Sequence, residues 1–186
     1  MRAVDGRATS AFLASLPWLV VVAALPAPSA AEHTWPQVHI GDTFAADAVR
    51  RALDGAAARL KAPRCADVFS SPRLLDGEGR PLQARLTELQ TDGGGYLARL
   101  SFYDASSAKG CQRDDVLAYT TVGAGHVFVC GARFLSEWKR GPHRVEITVI
   151  HEVLHTLGLG ENPPSSREIT NVVRAHCDHV TRAGGE

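Results

Sequence analysis

The sequence predicts an α+β fold in which short strands and longer helices share one hydrophobic core. Residues 42–60 and 144–157 repeat apolar side chains every three or four positions, which is the helical period. Residues 116–122 and 126–129 are instead short β-prone runs separated by glycines, which is typical of a strand pair. Residues 32–186 are enough for one domain with a hydrophobic core and few for two, so we expect a single domain.

A secretory signal peptide is predicted at residues 1–31. This segment begins with Arg2 and Arg7, continues with an apolar stretch at residues 12–25 and ends in small residues. The apolar stretch is short for a membrane span, which needs about 20 residues. We therefore expect a secreted or periplasmic protein with no stable membrane span after signal removal. An uncleaved N-terminal anchor is the alternative.

The charge balance does not indicate a nucleic-acid partner. The chain has 20 Lys and Arg residues against 20 Asp and Glu residues, with no long block of one sign. Nucleic-acid binding would instead favour a basic protein or a basic stripe. The composition leaves the oligomeric state open.

The four cysteines predict two disulfides, because an even count in an exported chain favours bonded pairs. Cys111 and Cys130 flank the two β-prone runs, so a hairpin would bring them close together. Cys65 would then pair with Cys177. A zinc site made of all four cysteines is the alternative, which the absence of a CxxC pair disfavours.

The first half of the chain predicts one long helix followed by shorter elements. Asp42 is a candidate N-cap, and the apolar period that follows it should end before Pro63. Residues 66–110 mix short apolar runs with turn signals, among them the glycines at residues 93–95. We interpret that region as strands and loops.

The second half predicts three helices after the hairpin. A short helical pattern at residues 134–139 should end at Gly141. The pattern at residues 144–157 has a wide apolar face, which is typical of a central, buried helix. Ser165 and Glu168 form a capping box that should begin a C-terminal helix.

The candidate metal ligands lie on the central helix. His151 and His155 are four residues apart, so both imidazoles project from one helical face and can bind one metal ion. Glu152 lies beside this pair, where it can take a proton from a metal-bound water. The alternative is a helix that merely carries two partly exposed histidines and a solvated glutamate.

A third ligand is needed, because a metal held by two histidines requires another protein ligand while a fourth position stays open for water. Gly158 would let the chain leave the helix with positive φ, and Glu161 would then reach the metal. His176 and His179 on the last helix are the alternative ligands or oxyanion donors. Glu168 is better explained by the capping box.

The run HExxHxxGxxE at residues 151–161 resembles the HExxHxxGxxH signature of the metzincin metallopeptidases. The longer run HEVLHTLGLGENPPSSREIT is also similar to small, exported, uncharacterised bacterial proteins. The resemblance implies a small zincin-like domain at residues 32–186, with a mixed sheet, a central active-site helix and a C-terminal helix. The chain departs from the metzincin pattern because Met1 is its only methionine, so the family's methionine turn beneath the metal is absent.

The function that the resemblance implies is zinc-dependent hydrolysis, with a peptide bond in a peptide or protein substrate as the favoured target. One zinc ion would be bound by His151, His155 and Glu161, and Glu152 would be the general base toward a zinc-bound water. An edge strand beside the active-site helix pairs with substrate in the family, and residues 127–129 are expected to take that role. The rival function is a non-catalytic exported binding protein with a structural metal site.

Overall fold

The structure, a computed structural model, describes residues 35–178. The predicted signal peptide and His179 therefore lie outside the described residues. Within them the helices and strands are, in chain order, β1 (Gln37–His39), α1 (Thr43–Leu60), α2 (Pro63–Ala66), α3 (Leu82–Glu88), α4 (Gly93–Leu97), β2 (Ser101–Asp104), β3 (Ala118–Tyr119), β4 (His126–Val129), α5 (Gly131–Arg140), α6 (Pro142–Thr156) and α7 (Ser166–Cys177). The α+β class is confirmed.

The four strands form one mixed sheet in the order β1-β2-β4-β3. The pairs β1–β2 and β2–β4 are parallel, whereas β3 and β4 form the antiparallel hairpin that the sequence predicts. The expectation that residues 127–129 form the edge strand is wrong. The hairpin folds β3 onto the side of β4 that faces away from β2, so β4 is interior and β3 is the edge.

The long first helix begins and ends as predicted. Asp42 is the N-cap of α1, and its carboxylate accepts a hydrogen bond of 2.7 Å from the Ala45 N–H. The buried face of α1 packs against α5 and α6. α6 contacts the helices α1, α5 and α7 and also the strand β3. These contacts explain the wide apolar face seen in its sequence.

The interpretation of residues 66–110 as strands and loops is wrong in part, because this region contains α3 and α4 besides the strand β2. Asp92 caps α4 by accepting a 2.6 Å hydrogen bond from the Gly95 N–H, which offsets the weak helix propensity of the glycines. Gly93 is also required for packing, because a Cβ there would overlap the Phe69 ring. A glycine run that resembles a turn therefore begins a helix.

Both predicted disulfides are present, and they fit an extracellular protein. Cys111 pairs with Cys130 across 19 residues beside the hairpin, and Cys65 pairs with Cys177 across 112 residues. The second bond joins α2 to α7. None of the helices between residues 35 and 178 is long and apolar enough to cross a membrane.

A buried ion pair joins the helices behind the candidate site. Arg59 on α1 donates a hydrogen bond of 2.8 Å to Glu146 on α6, and only 1 % of Glu146 is exposed. Arg59 also donates to the Cys177 carbonyl at the end of α7. Gly55 leaves room for this pair, because a Cβ there would overlap the Glu146 carboxylate. The pair thus fixes α1, α6 and α7 to one another.

Candidate metal centre

The structure brings His151, His155 and Glu161 together. The Nε2 atoms of the two histidines are 3.0 Å apart, as one helical turn allows. One Glu161 carboxylate oxygen lies 3.3 Å from His155 Nε2 and 3.8 Å from His151 Nε2. Both imidazoles are buried, whereas the Glu161 side chain is 40 % exposed. These three side chains form a group that could hold a metal ion.

The turn after α6 places Glu161 beside the histidines. Gly158 has φ +111, as predicted for a residue that leaves the helix in the left-handed region. The Gly158 N–H donates to the His155 carbonyl and the Leu159 N–H donates to the Leu154 carbonyl, which are the two bonds of a Schellman motif. The motif reverses the chain and returns Glu161 toward the helix face that carries the histidines.

The other ring nitrogen of each histidine also has a partner. His155 donates its Nδ1–H to the Leu159 carbonyl at 2.7 Å, which leaves the lone pair on Nε2. His151 Nδ1 lies 3.0 Å from the Thr170 hydroxyl oxygen on α7. Such partners fix the orientation and tautomer of metal-binding histidines.

Burial shifts the pKa values of two groups in the site. Desolvation, followed by the neighbouring His155, lowers the pKa of His151 to about 3, so this imidazole is neutral near pH 7. Desolvation, followed by the negative charge of Glu161, raises the pKa of Glu152 to about 8. A cation held between the histidines would oppose the second shift, because it favours an ionised carboxylate nearby.

Glu152 lies in the same groove as the three candidate ligands. Glu152 is only 6 % exposed, and its carboxylate makes no hydrogen bond with any residue between 35 and 178. The groove has a volume of about 1190 Å³. α6 forms its base, β3 and the loop around Thr120 form one wall, and α7 forms the other. The carboxylate is therefore placed beside an open space large enough for a peptide segment.

Two of the alternative ligands, His176 and Glu168, do not join this group, and His179 lies outside the described residues. His176 lies on α7 with its Nδ1 3.1 Å from the Arg64 carbonyl, and it does not line the groove. Glu168 accepts hydrogen bonds from the Ser165 hydroxyl and N–H, and the first of these lowers the Glu168 pKa most. The capping box therefore accounts for Glu168, as the sequence predicts.

Three contacts around the site were not predictable from sequence spacing. Thr170 reaches His151 from another helix, the Tyr96 hydroxyl donates to the Thr156 carbonyl, and the Gly123 N–H donates to the His155 carbonyl. Each contact joins residues far apart in the chain. Only the contact of Tyr96 could be expected in part. A buried tyrosine hydroxyl usually has a hydrogen-bond partner, but the sequence does not identify which residue provides it.

No protein-family model, curated protein or solved structure matches this chain. The resemblance to metzincins therefore rests on the residues of the motif alone.

Proposed function

We propose that this protein is an exported zinc-dependent hydrolase that cleaves peptide bonds, with His151, His155 and Glu161 as the metal ligands and Glu152 as the general base. The observation that carries the proposal is the spacing of the three donor atoms. Tetrahedral zinc with bonds of about 2.0–2.2 Å separates its ligand atoms by about 3.3–3.6 Å. The three separations in the structure are 3.0, 3.3 and 3.8 Å.

The donor set also fits zinc. Two imidazoles with one carboxylate is a known ligand set of catalytic zinc sites, which keep a fourth position open. Bound zinc would supply a Lewis acid for the scissile carbonyl and would lower the pKa of water to about 7. The Nδ1 partners of His151 and His155 direct both Nε2 atoms toward one point.

Glu152 suits the role of proton carrier. Its carboxylate lines the groove next to the ligand group and is held by no hydrogen bond from residues 35–178. In hydrolysis it would accept a proton from the attacking water at a carboxylate oxygen and deliver it to the leaving nitrogen. A purely structural metal site would have no need of this group.

The edge strand supports a peptide as the substrate. The Cys130 N–H donates to the Leu117 carbonyl, and Ala118 pairs with Val129 in an antiparallel register. In this register the N–H and C=O of Ala118 point away from β4, toward the open edge that lines the groove. An extended peptide could form backbone hydrogen bonds there.

The proposal is tested by the zinc content and activity of the exported form. We expect about one zinc ion per chain, and we expect His155→Ala to lose the ion because two remaining ligands cannot hold it tightly. Metal content is measured by mass spectrometry after dialysis, and activity is measured on a denatured, dye-quenched protein substrate before and after chelation. His176→Ala is the matched control, because it removes a histidine outside the groove.

Equal zinc content in the wild type and the His155→Ala variant would end the metal assignment. Zinc-loaded protein that leaves the denatured substrate intact would end the peptidase assignment.

Thr170 is expected to position His151. Thr170→Val keeps the shape of the side chain but removes the oxygen 3.0 Å from His151 Nδ1, so zinc affinity should fall by about 10- to 100-fold. Thr170→Ser restores the oxygen and should restore most of the affinity. Competition with a zinc chelator measures both values. An unchanged affinity in Thr170→Val would show that the hydroxyl does not orient the ring.

A further inference from the structure

The groove has more arginines than acidic residues once the two glutamates of the candidate metal centre are set aside. The charged residues that line it are Arg113, Arg144, Arg167, Arg174, Asp115, Glu152 and Glu161. Asp115 pairs with Arg113 at 3.0 Å, so these two charges offset each other. Glu152 and Glu161 belong to the candidate metal centre. The remaining charge in the groove is positive.

Two of the arginines flank the candidate centre along α7. Arg167 lies three residues before Thr170 and Arg174 lies four residues after it, and both are exposed. Seven residues of helix separate them by about 10 Å along the helix axis. Neither guanidinium group makes a hydrogen bond or ion pair with residues 35–178. Their charges therefore remain available to a ligand in the groove.

A third arginine lies on the groove face of α6. Arg144 precedes His151 by seven residues, which places both on one side of the helix. It lies 3.3 Å from Glu137, and 49 % of its side chain is exposed. Glu137 is only 13 % exposed and also pairs with Arg140 at 3.4 Å, so one carboxylate offsets two arginines and a net positive charge remains. Positive charge thus lies on both helices that border the candidate centre.

We propose that this groove selects peptide segments that carry Asp or Glu side chains on both sides of the central position. The inference rests on the proposed peptidase function and adds the substrate class to it. Guanidinium groups bind carboxylates through paired hydrogen bonds, and arginines at opposite ends of a groove favour acidic groups at opposite ends of a ligand. Asn and Gln have the same size but lack the charge, so they should bind less tightly.

The test measures peptide binding to metal-free protein, so that its result does not depend on cleavage. Three dye-labelled decapeptides of equal length are compared by fluorescence anisotropy. The first has Asp and Glu on both sides of a central Ala-Ala pair and an amidated C-terminus. The second has Asn and Gln at those positions, and the third is the second with a free terminal carboxylate. We expect the first to bind about tenfold more tightly than the second at low salt.

Two double variants test whether the groove arginines cause the preference for the acidic peptide. Arg167→Glu with Arg174→Glu should abolish the preference for the acidic peptide. Arg50→Glu with Lys61→Glu makes the same change in net charge on residues outside the groove and should keep the preference. If both double variants lost the preference for the acidic peptide equally, the proposal would be overturned, because the preference would then come from net charge. Equal binding of the acidic and amide peptides would also overturn it.

Two further outcomes are distinguishable. If the third peptide bound more tightly than the second but the first did not, the free terminal carboxylate alone would account for the binding. That result would overturn the assignment to acidic side chains on both sides of the bond. Selective binding of the acidic peptide, with no cleavage of any peptide by the zinc-loaded protein, would support the binding inference and contradict the proposed hydrolase function.

Discussion

Replacing Glu152 with Gln is expected to lower turnover by roughly two to four orders of magnitude while zinc stays bound. The amide keeps the size of the side chain but cannot act as a base. Glu152 lines the groove without being one of the three grouped ligands, so its loss should not release the metal. The measurement pairs steady-state cleavage of a dye-quenched peptide with the zinc content of the same sample.

Glu161→Gln is the matched variant, because it makes the same chemical change at a proposed ligand. Zinc affinity should fall together with activity, since a neutral amide is a weaker ligand than a carboxylate. A Glu161→Gln variant with wild-type zinc affinity would show that the third metal ligand is a residue other than Glu161. A Glu152→Gln variant with wild-type activity would contradict the catalytic assignment and favour the structural-metal alternative.

Glu146→Ala is expected to lower the free energy of unfolding by about 3–5 kcal/mol, because it removes the carboxylate that neutralises the buried Arg59 guanidinium. The loss should affect α1, α6 and α7 together, since Arg59 also donates to the Cys177 carbonyl. Urea denaturation followed by circular dichroism measures the change.

Two comparisons test the reason for that loss. Glu78→Ala removes a carboxylate from an ion pair in which Glu78 is 74 % exposed, so its stability should stay near that of the wild type. Arg59→Met with Glu146→Leu replaces both charges by apolar groups and should recover much of the stability. If Glu146→Ala were as stable as the wild type, the ion pair would not hold these helices together.

The elements predicted well are those whose signals lie within one segment. α1, α6 and α7 have an apolar period with a cap or a breaker at the end, and Gly158 marks the turn after α6. The disulfide pairing also followed from local information, because a hairpin brings its flanking cysteines together.

The predictions that failed depended on packing or on competition between local signals. The glycines before Tyr96 begin a helix because Asp92 caps them, and a turn has the same composition. The position of β4 inside the sheet depends on which side of it β3 occupies. Thr170 lies 19 residues from His151, so only the packing of α7 on α6 makes it a neighbour.

The positions of the two disulfides in the chain would divide the assembly of the groove into stages during export from the N-terminus. In a chain that is exported from its N-terminus, Cys111 and Cys130 emerge before His151, so the hairpin wall can be bonded first. Cys177 emerges after His151, His155 and Glu161, so the bond that holds α7 can form only when all three proposed ligands are already outside. In a chain exported in this way, metal capture could precede closure of the second wall, and oxidation of Cys65 with Cys177 would complete the groove last.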